Sequence, residues 1–151
     1  MRFLGNIDAK TDVKGRVFFP ASFRKILQGG GEETMVLRLD VFQKCLVLYP
    51  ESVWNEQMDM LRQKLNRWDR RQQMLYRQFV TNIVMVTLDG NGRFLIPGKF
   101  RKESNIGQEV SFVGLGDTIE VWNPQSLEES MLSQEQFSDE IEAIMTDKPE
   151  S

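Results

Sequence analysis

A thirteen-residue stretch that occurs twice constrains this chain more than any other feature. The first copy is Asp12-Val13-Lys14-Gly15-Arg16-Val17-Phe18-Phe19-Pro20-Ala21-Ser22-Phe23-Arg24, and the second is Asp89-Gly90-Asn91-Gly92-Arg93-Phe94-Leu95-Ile96-Pro97-Gly98-Lys99-Phe100-Arg101. The copies stand 77 residues apart at every matched position, and six residues coincide in type: Asp, Gly, Arg, Pro, Phe and Arg. So many identities in so short a window mark a duplicated unit, and a duplicated unit implies a fold made of two related halves.

Each copy describes the same small device. Glycine supplies the positive φ of a tight turn, so residues 13–15 and 90–92 read as turns joining an incoming strand to an outgoing one in a strand pair. The outgoing strand, Val17-Phe18-Phe19 or Phe94-Leu95-Ile96, is apolar. It stops at a proline, which cannot continue a sheet ladder but suits the first turn of a helix. The short helix that follows carries Phe23 or Phe100 inward and Arg24 or Arg101 outward.

Two further apolar runs follow each copy, 35–39 and 45–49 in the first half, 110–114 and 118–122 in the second. Each set ends at a proline, Pro50 or Pro124, placed to start a helix, and Asn123 is suited to cap the second. Between the halves, Trp54, Met58, Leu61, Leu65 and Trp68 recur at steps of four and three, the stripe of an amphipathic helix. Asp69, with Gln72 three residues on, can cap another helix bearing Met74, Leu75 and Phe79. The resulting layout is a first repeat over 1–52, connecting helices over 53–79, a second repeat over 80–126 and an acidic tail over 127–151, all in one compact domain. From Gln134 onward the density of acid suggests a segment that is weakly ordered or packed on a neighbouring subunit.

The chain has no histidine and a single cysteine, Cys45. This excludes a Ser-His-Asp triad, a Cys-His dyad, a disulfide framework and a His-rich metal site, and it suits a reducing cytosol. Cys45 lies in an apolar run, where packing is its expected role. No carboxylate pair, nucleophile-base set or phosphate-binding loop stands out, so the expectation is a non-enzyme with no cofactor and no metal. No apolar run approaches a membrane span or a secretory leader.

Net charge is −3, yet it is unevenly placed. Residues 124–151 hold eight acids against Lys148 alone, which leaves +4 on residues 1–123. Within these, residues 1–31 hold Arg2, Lys10, Lys14, Arg16, Arg24 and Lys25 against Asp8 and Asp12, another +4, whereas residues 80–123 carry −1. The first repeat therefore offers the basic surface.

Asp and Arg four residues apart across a turn admit two readings. The carboxylate can accept from turn amides and pair with the arginine simply to fix the turn, although an exposed pair adds only about 0–1 kcal/mol. Alternatively, the same contact orients a guanidinium so that it forks onto phosphate or onto the O6 and N7 edge of guanine. A two-stranded ribbon fits the major groove, which would bring the turn to DNA.

With its two Asp-X-X-X-Arg motifs, Asp12 to Arg16 and Asp89 to Arg93, each followed by proline and a helix, the chain resembles the MraZ family. The resemblance extends loosely over residues 1–130. It implies two AbrB-like (SpoVT-AbrB type) β-barrel halves related by a pseudo-twofold axis, hence a mainly β fold with short helices in the α+β class. It also implies a transcriptional regulator in the cytoplasm and nucleoid, binding repeated operator elements upstream of a division and cell-wall gene cluster as a ring of identical subunits. The expected DNA-binding residues are Arg16, Lys14, Arg2, Arg24 and Arg93, with Asp12 and Asp89 orienting the two motif arginines and Arg16 contributing more than Arg93. The rival reading is an assembly or partner-binding protein without DNA, since AbrB-like halves also serve as antitoxins and scaffolds.

Overall fold

Each apolar run of the sequence forms a strand in the computed structural model, which describes residues 1–146. The first half comprises β1 (Phe3–Lys10), β2 (Arg16–Phe18), α1 (Ala21–Gly29), β3 (Thr34–Leu39) and β4 (Leu46–Pro50), followed by the helices α2 (Glu51–Lys64) and α3 (Arg70–Thr81). The second half repeats the order with β5 (Ile83–Thr87), β6 (Arg93–Leu95), α4 (Gly98–Glu103), β7 (Glu109–Gly116) and β8 (Ile119–Trp122), then α5 (Pro124–Ser130) and α6 (Gln134–Met145). The α+β class expected from the sequence is what the chain adopts.

Strand pairing shows the duplication directly. Six strands form one antiparallel sheet in the order β1-β7-β8-β4-β3-β5, while β2 and β6 form a separate two-stranded ribbon. Exchanging each strand for its equivalent in the other half turns that order into its own reverse. The ribbon pairs Arg16 with Leu95, Val17 with Phe94 and Phe18 with Arg93. Val17 and Phe94 are equivalent residues of the two copies, so the pseudo-twofold axis passes through their pair. In the sheet the axis passes through Val47 and Glu120, with Leu46 opposite Val121 and Leu48 opposite Ile119 on either side.

The strands flanking each turn do not pair with each other as a hairpin, contrary to the sequence expectation. A single bridge, Thr11 to Val17, is what remains between β1 and β2. Instead β1 runs the length of β7, from Phe3 opposite Gly116 to Lys10 opposite Glu109, and β5 runs along β3. Length explains the exchange: a three-residue β2 offers few ladder hydrogen bonds, whereas β7 matches β1 residue for residue. The halves are thus intertwined, and the sheet remains open at β1 and β5 instead of closing into a barrel.

Alternation along the strands gives the sheet two apolar faces. Met35, Leu37, Leu46, Leu48, Phe112, Ile119 and Val121 point into one core, which the ribbon, α1 and α4 cover with Val17, Phe19, Phe23, Phe94 and Phe100. Phe19 centres an aromatic cluster, its ring 6.3 Å from each of Phe23, Phe94 and Phe112. On the opposite face Trp54 of α2 meets Tyr49 edge-on and stacks on Phe79 of α3 at 5.0 Å. Buried Arg38 ties these together: Nη1 donates to the Phe79 carbonyl at 2.6 Å, Nε donates to the Leu39 carbonyl, and the guanidinium lies 4.4 Å from the Phe79 ring centre. Burial pulls its pKa down. In the second half Leu127 of α5 packs with Trp122 and Cys45, and burial pushes the Cys45 thiol up, in keeping with its packing role.

Two helical details depart from the sequence pattern. The stripe through Leu65 and Trp68 is not one helix, because α2 stops at Lys64 and Leu65 is extended. Asn66 and Asp69 accept backbone N–H bonds there, from Trp68 and from Arg71 and Gln72, and such side chains compete with helix continuation. Trp68 is left 93% exposed. The acidic segment from Gln134 is also a defined helix rather than a weakly ordered tail, started by a capping box in which Ser133 and Gln136 exchange hydrogen bonds. The frayed end expected over 147–151 lies outside the described residues.

Because Phe94 closes the core at the symmetry axis, Phe94→Ala should cost about 3–5 kcal/mol of folding stability, the usual penalty for emptying a buried aromatic site. Urea unfolding of the variant beside the parent measures it, with a loss under about 1 kcal/mol contradicting this role.

Candidate nucleic-acid interface

Both motif turns have the same construction. In the first, Asp12 accepts through Oδ1 from the backbone N–H groups of Lys14 and Arg16, both at 2.9 Å, and through Oδ2 from Arg16 Nε at 2.7 Å. In the second, Asp89 Oδ1 accepts from the Asn91 and Arg93 N–H groups at the same distance, and Oδ2 accepts from Arg93 Nε at 3.0 Å. Each carboxylate therefore fixes its turn and its arginine at once. The Arg16 N–H bond is the largest influence that holds Asp12 at about 2, below the ordinary 3.8, with the guanidinium and the Lys14 N–H assisting. Asp89 is lowered in the same way, first by the Arg93 N–H.

The glycines close the turns at φ +87° for Gly15 and +82° for Gly92, a region where a side chain is strained. Their carbonyls are then used across the symmetry axis, Gly15 O accepting from Ile96 N–H and Gly92 O from Phe19 N–H. Arginines cross as well. A Cβ on Gly15 would sit 2.7 Å from the Arg101 guanidinium carbon, and one on Gly92 would sit 2.9 Å from an Arg24 Nη. Each turn is thus braced by an arginine of the other half.

Alternation along the ribbon settles which residues face out. Val17 and Phe94 are buried, so Arg16, Phe18, Arg93 and Leu95 share the outer face; Phe18 and Leu95 are exposed. Arg16 and Arg93 occupy equivalent positions there, and the Arg93 guanidinium lies 5.9 Å from the Phe18 ring centre. Among the described residues, the side-chain hydrogen bonds of both arginines run through Nε alone, leaving the Nη groups without a protein partner.

The structure gathers some of the residues singled out in the sequence and separates others. Lys14 is exposed at the tip of the first turn, beside Arg16. Arg24 is half-buried against Gly92, so it belongs with the second turn and Arg93 rather than pointing outward from its own half. Arg2 stands at the far end of β1, whose eight residues span about 25 Å at the rise of a β-strand and separate it from the turn, and it does not join the ribbon face. Arg101, absent from the expected set, braces the first turn and donates through Nε to the Ile96 carbonyl. Its match to Arg24 in the repeat was the available signal. No cluster of three or more metal-ligating side chains occurs among the described residues, and none of their helices is long and apolar enough to cross a membrane.

Comparison with known proteins supplies the family. The model described as "MraZ protein, putative antitoxin-like" matches residues 3–78 and again residues 79–148. The chain belongs to the MraZ family. It is 57% identical over 145 residues to a protein of Phocaeicola vulgatus named transcriptional regulator MraZ, covering 96% of this chain and 94% of that one. Proteins of the same name from Bacteroides fragilis and Bacteroides thetaiotaomicron are each 48% identical over 148 residues, with 98% of this chain covered and 94% and 95% of theirs. The doubled family match falls on the two halves that the strand pairing relates by symmetry.

A carboxylate whose folded pKa lies below its unfolded value adds stability above the unfolded pKa, and that stability is lost as pH falls through the folded one. The Asp12 turn should therefore be intact at pH 4 and above and loosen toward pH 2. A carboxyl-carbon NMR titration should give Asp12 a midpoint near 2, with the Lys14 and Arg16 amide signals moving at the same midpoint; titration at the ordinary carboxylate value would contradict the bonding described.

Proposed function

We propose that this protein is a sequence-specific DNA-binding regulator of transcription that reads repeated operator elements with the outer face of the β2–β6 ribbon. The carrying observation is the pair of carboxylate-held guanidinium groups, Arg16 and Arg93, at equivalent positions on one rigid two-stranded ribbon. Such a ribbon has the dimensions of the major groove, and an oriented guanidinium suits phosphate or the O6 and N7 edge of guanine. Phe18 and Leu95, exposed between the arginines, suit apolar contact with thymine methyl groups. Regulation of transcription is what the names of the relatives state.

The operator lies, on the family resemblance, upstream of the division and cell-wall gene cluster, and the protein acts in the cytoplasm at the nucleoid. One ribbon makes few phosphate contacts, so affinity comes from repetition. Several subunits in a ring, each engaging one element of a repeated operator, gain roughly 10² to 10⁴ in avidity without new contacts. The acidic C-terminal segment stays away from the DNA.

Arg16 stands in the basic half and Arg93 in the half of net −1, so the two should differ in degree. Arg16→Ala should lose about 1–3 kcal/mol per engaged subunit and Arg93→Ala a smaller amount, and removal of 134–151 should not weaken contact with one element. Binding is measured on DNA from upstream of the protein's own gene, with several elements and with one, between 50 and 200 mM salt as an approximate range for the steep counterion effect. Undiminished binding by Arg16→Ala, or indifference to the number of elements, overturns the mechanism. Failure of the parent to retain this DNA in a salt-dependent way would favour the partner-binding reading instead.

A further inference from the structure

The two ends of the ribbon share a backbone and present different chemistry. At the tip of the first turn stand Val13, fully exposed, and Lys14; the equivalent positions of the second turn hold Gly90 and Asn91, also exposed. Lysine is a compact charge without a directional fork and suits a phosphate. An asparagine amide carries a donor and an acceptor side by side, the pattern that matches the N6 and N7 edge of adenine.

The flanks of the turns differ in the same sense. Beside the first turn a cavity is lined by Thr11, Val13, Arg101, Gly107 and Gln108, and the carboxylate there, Asp12, is already engaged by three donors. In the corresponding hollow beside the second turn, Thr87, Leu88 and Arg24 take the places of Lys10, Thr11 and Arg101, and Glu32 and Glu33 line it as well. Those two carboxylates disfavour a phosphate strand at the second end, because like charges brought together across an interface are costly.

The motif arginines themselves have unlike neighbours. Arg93 pairs with Phe18, whose ring centre lies 5.9 Å from the guanidinium, within reach of a cation–π contact, and its side chain is 24% exposed. Arg16 pairs with Leu95, which has no ring to offer, and its side chain is 36% exposed. The aspartate bond at Nε aims each arginine, whereas a ring beside it also fixes the plane in which the two Nη groups lie. The O6 and N7 edge of guanine demands that plane, since it accepts a bidentate fork; a phosphate accepts a point charge as well as a fork.

We infer that the ribbon divides its labour: the first-turn end, with Lys14 and Arg16, anchors the phosphate backbone, and the second-turn end, with Asn91 and Arg93, reads base edges. The inference rests on the ribbon reading above and separates two kinds of contact within it. Phe18 is then a positioning residue for Arg93, and Asn91 determines specificity.

Binding of the full chain to a duplex carrying one upstream element, and to a shuffled duplex of the same composition, separates the roles when each is measured across a range of salt. Lysine in place of arginine keeps the charge and loses the fork. Arg16→Lys should therefore bind both duplexes like the parent, while Lys14→Ala should weaken both by the same factor and make the log–log salt slope shallower by about 0.9. Arg93→Lys and Asn91→Ala should each leave the shuffled duplex and the slope unchanged and lower the preference for the element by about tenfold, as expected for one bidentate base contact. Phe18→Leu should lose preference as Arg93→Lys does, and Phe18→Tyr should keep it, a rescue that general loosening of the ribbon would not give. A parent without preference for the element overturns both the division and the ribbon reading. A parent that prefers the element, together with equal loss of preference in Arg16→Lys and Arg93→Lys or full preference in Phe18→Leu and Asn91→Ala, overturns the division and leaves the ribbon reading standing.

Discussion

The Val17–Phe94 pair is the contact on which the rest of the molecule depends. It sits on the pseudo-twofold axis and belongs to a ribbon of three residue pairs, far too short to be stable by its own ladder. What holds the ribbon is its back, where Val17 and Phe94 are buried against Phe19 and Phe112 of the shared core. The outer face therefore inherits the rigidity of the core one residue away. A surface built in this manner is pre-organised, and the conformational cost of ordering it was met when the chain folded.

The crossed contacts extend that rigidity to the turns. Each aspartate serves its own half, since its short side chain reaches the N–H groups two and four residues on and the guanidinium beside them. Each glycine serves the other half, its carbonyl bonded to Phe19 or Ile96 and its Cα surface lying under Arg24 or Arg101. An exposed Asp–Arg pair adds little to stability. Its value is geometric, because Nε is occupied and the remaining guanidinium edge has one direction in which to point.

How much of this was legible in the sequence follows from what each signal encodes. The repeat revealed two related halves, the turn positions and the arginines, because glycine and the Asp-X-X-X-Arg spacing are local. An apolar run says that a strand is buried but not by which partner, so the exchange of β1 and β5 between halves was hidden. Residues that act across the axis were misread for the same reason: Arg24 and Arg101 look outward from their own helices and are half-buried only once the other half arrives. Arg2 looked basic and near the motif, yet an eight-residue strand carries it to the opposite end. The helical stripe through Trp68 was overruled by Asn66 and Asp69, whereas the Ser133–Gln136 capping box was a readable signal for α6. Arg38 was indistinguishable from a solvated arginine, since its partner, the Phe79 carbonyl, lies 41 residues away.

Fusion of the two copies into one chain has a consequence that two separate identical copies could not achieve. In a symmetric homodimer each half must present the same surface, so a basic helical hairpin would face its own duplicate. A fused duplicate keeps the symmetry where the core requires it, in the sheet order and the ribbon register, and is free to diverge elsewhere. Here the divergence is one of charge and of helix placement: α3 is folded back under Trp54 in the first half, while its counterpart α6 stands free in the second. The two ends of a nearly symmetric body are thus unlike, while the outer face of the ribbon, where Phe18 and Leu95 are exposed, lies open between them.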